Sequence, residues 1–340
     1  MDLSEHKNPS ISTENRVGKL IGKGLVHFFV TLSSLSKKSP MGNLQRWGVE
    51  AQFDIAYDEE ISERTLDIYR PINSKDQKLP VVMYVHGGAF CAMSKDTHWV
   101  MARNFARAGY IVVNINYRLA PKNPYPAGFQ DVCKAWKWLY ENIESVGGDS
   151  EKVVVAGESA GANLVLSLAL ACILPRKENF AREIYNLKFI PKAIVPMCGI
   201  FEVRNPERFL KTSKNPLRFL VFRNVLDIQQ KYVQHEITDH LDFVDPLLMI
   251  EELEEFLPLS LPPTFLSVGT WDPLVEDSKR LYEALRKRKQ IVEVRYYPRE
   301  IHAFQALLFR KQARIFWKEM FCFLEYQLKN QSVEATSIDN

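Results

Sequence analysis

The stretch KVVVAGESAGANLVLSLALAC, residues 152–172, carries the decision about the fold. Its first five residues form a short β-branched run of the kind buried on both faces of a parallel sheet. From Ala160 onward it is an apolar helical run. Between the two stands Gly157-Glu158-Ser159-Ala160-Gly161, a G-x-S-x-G set between strand and helix. A turn this tight leaves no room for side chains beside the serine, so glycine is needed on both sides. The serine hydroxyl is then presented at the top of the sheet, at the positive end of a helix dipole.

Outward from that turn, short β-type runs alternate with longer helical ones. Strands are expected at 52–57, 65–69, 80–85, 110–117, 152–156, 192–196, 264–269 and 291–297. The first two are joined by the short polar stretch DEEISER and read as a hairpin. VVMYV, IVVNI and VVVAG are almost continuously apolar, which suits parallel strands covered on both faces. Helices are expected at about 97–108, 129–144, 160–172, 276–289 and 303–328. This alternation points to an α/β chain with a mostly parallel sheet and helices on both sides. Two regions break the rhythm: residues 1–50, and an insert of about 204–262 punctuated by prolines. Both read as a cap over the carboxyl ends of the strands, on a catalytic domain of 51–330. Residues 331–340 read as a disordered polar tail.

A serine hydroxyl needs a base to act as a nucleophile. Of the seven histidines, His235, His240 and His302 follow Ser159. His302 lies in the turn PREIHAF after the last strand, where a base can reach a strand-end serine, and is the expected base. His235 and His240 fall in the cap insert. They are five residues apart, whereas two metal ligands on one helix face need a separation of four. The acid is expected at the end of the preceding strand, where TFLSVGTWDPLVED supplies Asp272, with Asp277 as runner-up. Asp272 could equally serve as a cap for the helix that follows. His86-Gly87-Gly88-Ala89-Phe90 follows the strand PVVMYV. Gly87, Gly88 and Ala89, with the N–H of Ala160, are the expected oxyanion hole. His86 precedes the nucleophile and reads as a brace for that loop.

With 46% hydrophobic and 25% charged residues over 340 positions, a disordered chain is excluded. Forty-four Lys+Arg against 41 Asp+Glu leave a net charge of +3, which gives nucleic-acid binding no support. The five cysteines, Cys91, Cys133, Cys172, Cys198 and Cys322, never form C-x-x-C. They read as small buried hydrophobes, reduced in a cytoplasmic protein. The apolar run at 24–35 is too short to span a membrane, although an amphipathic helix with Arg16, Lys19 and Lys23 upstream fits it.

These motifs together resemble the hormone-sensitive-lipase-like family of α/β-hydrolases. The family's marks stand here as HGGAF at 86–90, YRLAPKNPYPAG at 117–128, GESAG at 157–161, WDPLVED at 271–277 and HAF at 302–304. The resemblance covers about residues 50–328. It implies the α/β-hydrolase fold, an eight-stranded, mostly parallel sheet with helices on both faces and a helical cap. It also implies carboxylic-ester hydrolysis without a cofactor or metal. Ser159, Asp272 and His302 fall on the family's triad positions, and Gly87, Gly88, Ala89 and Ala160 on its oxyanion-hole positions. Four positions depart from the family pattern. Ala89 replaces the third glycine of H-G-G-G, Glu158 the usual Asp or Thr, Lys122 the usual Glu, and Ala303 the usual Gly. A left-handed φ at Ala89 would be strained.

The expected activity is therefore a serine carboxylesterase or lipase-like hydrolase, acting on small-molecule esters with short to medium acyl chains. Amide or peptide hydrolysis by the same triad, and a non-catalytic small-molecule receptor on the same fold, are the alternatives. Phe209, Leu210, Phe219, Leu220 and Phe222 suit either an acyl pocket or the core of the cap, with the core reading preferred. Residues 1–50 and 204–223 are both basic. This charge suggests one further partner, an anionic membrane surface touched peripherally by the cap.

Overall fold

The computed structural model describes residues 30–74, 77–212, 218–234, 242–252 and 260–336. Eight strands form one sheet: β1 (Val49–Ala56), β2 (Thr65–Pro71), β3 (Leu79–Val85), β4 (Ile111–Ile115), β5 (Gly148–Glu158), β6 (Ala193–Met197), β7 (Thr264–Gly269) and β8 (Val292–Tyr297). Their order is β1-β2-β4-β3-β5-β6-β7-β8. The β1–β2 hairpin pairs antiparallel, as does β2 with β4, and every other pairing is parallel.

The apolar runs are explained by what covers each face. Val81, Met83, Val85, Val153 and Val155 point into one core. Val82, Tyr84, Val154 and Ala156 point into the other. This period of two needs apolar residues at every position only because both faces are covered. Helices α3 (Ala127–Asn142), α4 (Ala160–Ile173), α5 (Asn179–Leu187) and α9 (Val275–Lys287) pack on the first face. Helices α2 (Trp99–Arg107) and α10 (Lys311–Thr336) pack on the second. All fourteen residues of α4 are buried, which is why its sequence has no polar face. Its Asn163 and Ser167 are satisfied from loops above the sheet. Asn163 donates to the Ile200 and Val244 carbonyls at 2.9 and 3.1 Å, and Ser167 to Phe243 O at 2.7 Å.

The chain leaves β3 toward β4 on one side and leaves β5 toward β6 on the other. The carboxyl ends of β3 and β5 therefore flank a topological switch point, where ligands of open α/β sheets bind. HGGAF follows β3 and GESAG spans the end of β5 and the start of α4, so the switch point brings them together. Residues 30–38 form helix α1, whose Ser33 hydroxyl donates to the Thr97 carbonyl at 3.0 Å and whose Lys37 bridges to Asp96. The insert contributes α6 (Arg208–Thr212), α7 (Arg218–Tyr232) and α8 (Pro246–Glu252). Tyr232 at the end of α7 stacks on Phe90 of the HGGAF loop, ring centroids 3.9 Å apart. Helix α8 instead packs against α4 and α9.

Two expectations are corrected and one helix is added. The helix expected from 303 begins only at Lys311, because Ala303 turns left-handed (φ 55°) into a 3-10 turn at Phe304–Ala306. The polar tail is helical as far as Thr336, since nothing after Lys311 breaks the helix. Helix α5 was not anticipated, and only Ala181 and Ile184 of it are buried. Arg16, Lys19, Lys23, His235, His240 and residues 337–340 lie outside the described residues.

Candidate active site

Ser159 sits between β5 and α4 with φ 55° and ψ −117°, a conformation that ordinary residues adopt only under restraint. Its own N–H donates to the Met197 carbonyl at 2.9 Å, which ties the turn to β6. The flanking glycines are required by close approach. A Cβ on Gly161 would land on the Val85 carbonyl, and one on Gly157 would lie 2.7 Å from the Gly161 carbonyl. Helix α4 can start this near β3 only without them.

Asp272 and His302 leave adjacent strand ends, β7 and β8. Trp271 N–H donates to Glu300 O at 3.0 Å and Arg299 N–H to Thr270 Oγ1 at 2.9 Å, so the two loops are laced together. The buried Asp272 uses both oxygens. Oδ1 accepts from Leu274 N–H at 2.8 Å in the turn that precedes α9, while Oδ2 accepts from His302 Nδ1 at 2.9 Å. Asp272 is thus the imidazole's partner, whereas the N-cap of α9 is Leu274, without a side-chain cap hydrogen bond. Burial works to lower the pKa of His302, but the Asp272 carboxylate and the neighbouring Cys198 together outweigh it and hold the imidazole well above the ordinary histidine range. No hydrogen bond joins Ser159 Oγ to His302 among the described residues. Such contacts are often long until substrate arrives. Asp277 faces elsewhere: its carboxylate holds Arg208 at 2.7 Å and the Phe201 N–H at 3.0 Å.

The HGGAF loop turns through three successive positive φ values, Gly88 at 116°, Ala89 at 54° and Phe90 at 59°. A Cβ on Gly88 would overlap the Ala92 carbonyl, so glycine is obligatory there. Ala89 takes the strained option. Its neighbour Phe90 is fixed by the Tyr232 stack and by accepting from Ala120 N–H at 2.9 Å. His86 is buried, stacks on Tyr117 at 4.2 Å and donates from Nδ1 to Gly87 O at 2.6 Å. Burial, with the nearby His98, pushes its imidazole down to about 3, so it is a neutral brace for the loop.

A family model described as the alpha/beta hydrolase fold matches residues 82–306. The chain belongs to the α/β-hydrolases. Carboxylesterase NlhH of Mycobacterium tuberculosis is similar to it, 32% identical over 254 residues that cover 74% of this chain and 73% of that one. Esterase LipI of the same organism is 30% identical over 253 residues, covering 74% of each. A hyperthermophilic esterase from the archaeon Pyrobaculum calidifontis has the same fold, with a TM-score of 0.68 at 20% identity over 96% of this chain and 99% of that one. These relatives place the hydrolase on the hormone-sensitive-lipase-like branch.

Two features of the hydrolase escaped the sequence reading. Glu158, beside Ser159, is buried and meets His98 Nε2 at 2.8 Å from its Oε1. Its side chain lies directly beneath Gly87, where a Cβ would come within 3.3 Å of Glu158 Cγ. The pair thus packs against the HGGAF loop at Gly87. The second feature is Cys198, which follows β6 and lies against His302 and Asp272. The rule that strand-end residues face the site applied to Cys198 as it did to Asp272. Its residue type hid it, since a buried cysteine usually only packs. Cys198, Asp272 and His302 also form a grouping of donors that could hold a metal ion among the described residues.

Proposed function

We propose that this hydrolase cleaves carboxylic esters of short to medium acyl chain through Ser159, His302 and Asp272. The observation that carries the reading is the 2.9 Å His302–Asp272 hydrogen bond, formed at neighbouring strand ends beside a strained serine turn. Ser159 Oγ attacks the ester carbonyl while His302 takes its proton. Asp272 holds the imidazole in the tautomer that leaves its other nitrogen free, and stabilises the imidazolium that forms. Backbone N–H groups of Gly87, Gly88, Ala89 and Ala160 surround the developing oxyanion, and each such donor lowers the barrier by about 2.7–4 kcal/mol. The imidazolium then protonates the leaving alcohol, and water releases the acyl group by the reverse steps. The family's relatives named as esterases support esters over amides.

The test is a fluorophosphonate label followed by peptide mapping, with p-nitrophenyl esters from acetate to palmitate as substrates. Label on Ser159 and turnover falling by at least about 10⁴-fold in a folded Ser159→Ala variant are expected. Undiminished hydrolysis by that variant would remove Ser159 from the mechanism. Best turnover on the longest chains, or on amides, would replace the substrate class.

A further inference from the structure

Three chemically different donors converge at the ends of β6, β7 and β8. The Cys198 thiol, an Asp272 carboxylate oxygen and a His302 ring nitrogen all lie within 4.8 Å of one another. Cys198 is held in place by its backbone, which takes a left-handed φ of 42° and donates its N–H to the Ser267 carbonyl at 2.8 Å. Cys198 and Asp272 are buried, whereas the His302 side chain is 35% exposed, so an ion reaches the group past the imidazole. No ester-hydrolysis step uses the sulfur.

The donor set has a defined preference. Thiolate and imidazole with one carboxylate suit Zn²⁺, and three protein ligands with a free fourth position are the pattern of accessible zinc sites. Ligands at tetrahedral zinc distances stand roughly 3.3–3.8 Å apart, so closing the widest pair here asks for about 1 Å of side-chain movement. Hard cations such as Mg²⁺ and Ca²⁺ prefer all-oxygen sites and are disfavoured by the sulfur.

We propose that Cys198, Asp272 and His302 form a binding site for a thiophilic divalent cation, Zn²⁺ first, whose occupancy reversibly switches hydrolysis off. Binding exchanges the Cys198 S–H bond for a metal–sulfur bond and one N–H bond of the His302 imidazolium for a metal–nitrogen bond, and releases both protons to solvent. It also occupies the groups that would relay the serine proton. The inhibitory half rests on the proposed function; the binding half does not.

The experiment therefore reads both separately. Chelator-stripped wild type, Ser159→Ala and Cys198→Ser are titrated with ZnCl₂ and CoCl₂. Bound metal per chain and the near-ultraviolet thiolate-to-cobalt charge-transfer band report binding. Hydrolysis of p-nitrophenyl butyrate, relative to the same protein's metal-free rate, reports inhibition. One ion per chain with the cobalt band is expected in wild type and Ser159→Ala, with wild-type inhibition reversed by EDTA. Cys198→Ser should lose the band and need roughly 100-fold more Zn²⁺ or more for half-occupancy. Equal affinity of wild type and Cys198→Ser, or no stoichiometric ion in wild type, overturns the site. Binding in an inactive wild type would retain the site and reject the proposed function instead.

Discussion

The methyl group at position 89 holds a backbone conformation that glycine would take without strain. Ala89 sits at φ 54°, where an L-residue is penalised by about 1–2 kcal/mol, partly offset because alanine also restricts the unfolded chain. Ala89→Gly should therefore stabilise the protein by about 0.5–1 kcal/mol, read from the midpoint of urea unfolding. An unchanged or lower midpoint would mean that the Ala89 methyl makes packing contacts worth the strain. Asp272 offers a cleaner separation of structure from chemistry. An asparagine there can still accept from Leu274 N–H and keep the turn before α9, but it cannot carry the charge opposite His302. Asp272→Asn should fold with an unaltered circular-dichroism spectrum and lose roughly 10⁴-fold in kcat on p-nitrophenyl acetate. A loss below tenfold would strip Asp272 of the acid's role.

At the scale of elements, the insert is fastened to the body by charges buried with it. Arg208 of α6 is bound by Asp277 of α9 and lies near Glu202, and all three side chains are almost wholly buried. Removing Asp277 takes away the two hydrogen bonds it accepts from Arg208 but leaves Glu202 nearby as a counter-charge, so Asp277→Asn should cost about 1.5–3 kcal/mol in urea unfolding. The variant that remains folded should still hydrolyse esters, because Asp277 does not face His302. Loss of activity with stability intact would return Asp277 to candidacy as the acid. The elements also show what the sequence made legible. VVMYV, IVVNI and VVVAG could be read as central strands because burial on both faces leaves no other composition tolerable. GESAG, WDP and the turn at His302 were legible because strand ends constrain residue type. Helix α5 packs by Phe180, Ala181, Ile184 and Leu187, an amphipathic spacing that stands in the sequence but is obscured because the run is short and lies between charged residues. The stretch after His302 looked helical because HAFQALLF is apolar. Its backbone follows the turn that aims His302 at Asp272, which composition does not encode. Glu158 with His98, and Cys198, are pairings across strands. No spacing along the chain announces them.

Over the whole molecule, charge is used differently inside and outside. The net charge of +3 conceals basic segments, but Arg204 and Arg208 are turned inward to Asp245 and Asp277, and Lys37 is paired at the surface with Asp96. The basic face offered to any anionic surface is correspondingly smaller than the sequence tally. No helix of the described residues is long and apolar enough to cross a membrane. Inside, one neutral histidine should govern part of the acid sensitivity of the fold. His86 faces the Tyr117 ring, His98 and, through His98, the Glu158 carboxylate. Burial, with His98, lowers its pKa from about 6.5 to about 3. The unfolded chain then takes up a proton below pH 6.5 that the folded chain refuses. The stabilisation is complete above that pH and declines by about 1.4 kcal/mol per unit as pH falls toward 3. Asp67 and Asp245, raised by burial, act in the opposite sense, since they weigh on the fold when ionised. Comparing wild type with His86→Gln at each pH cancels such shared contributions. Between pH 7 and pH 5 the wild type should lose about 2 kcal/mol more than the variant in urea unfolding. If the two fall in parallel, His86 is protonated within the fold and another group governs the acid response.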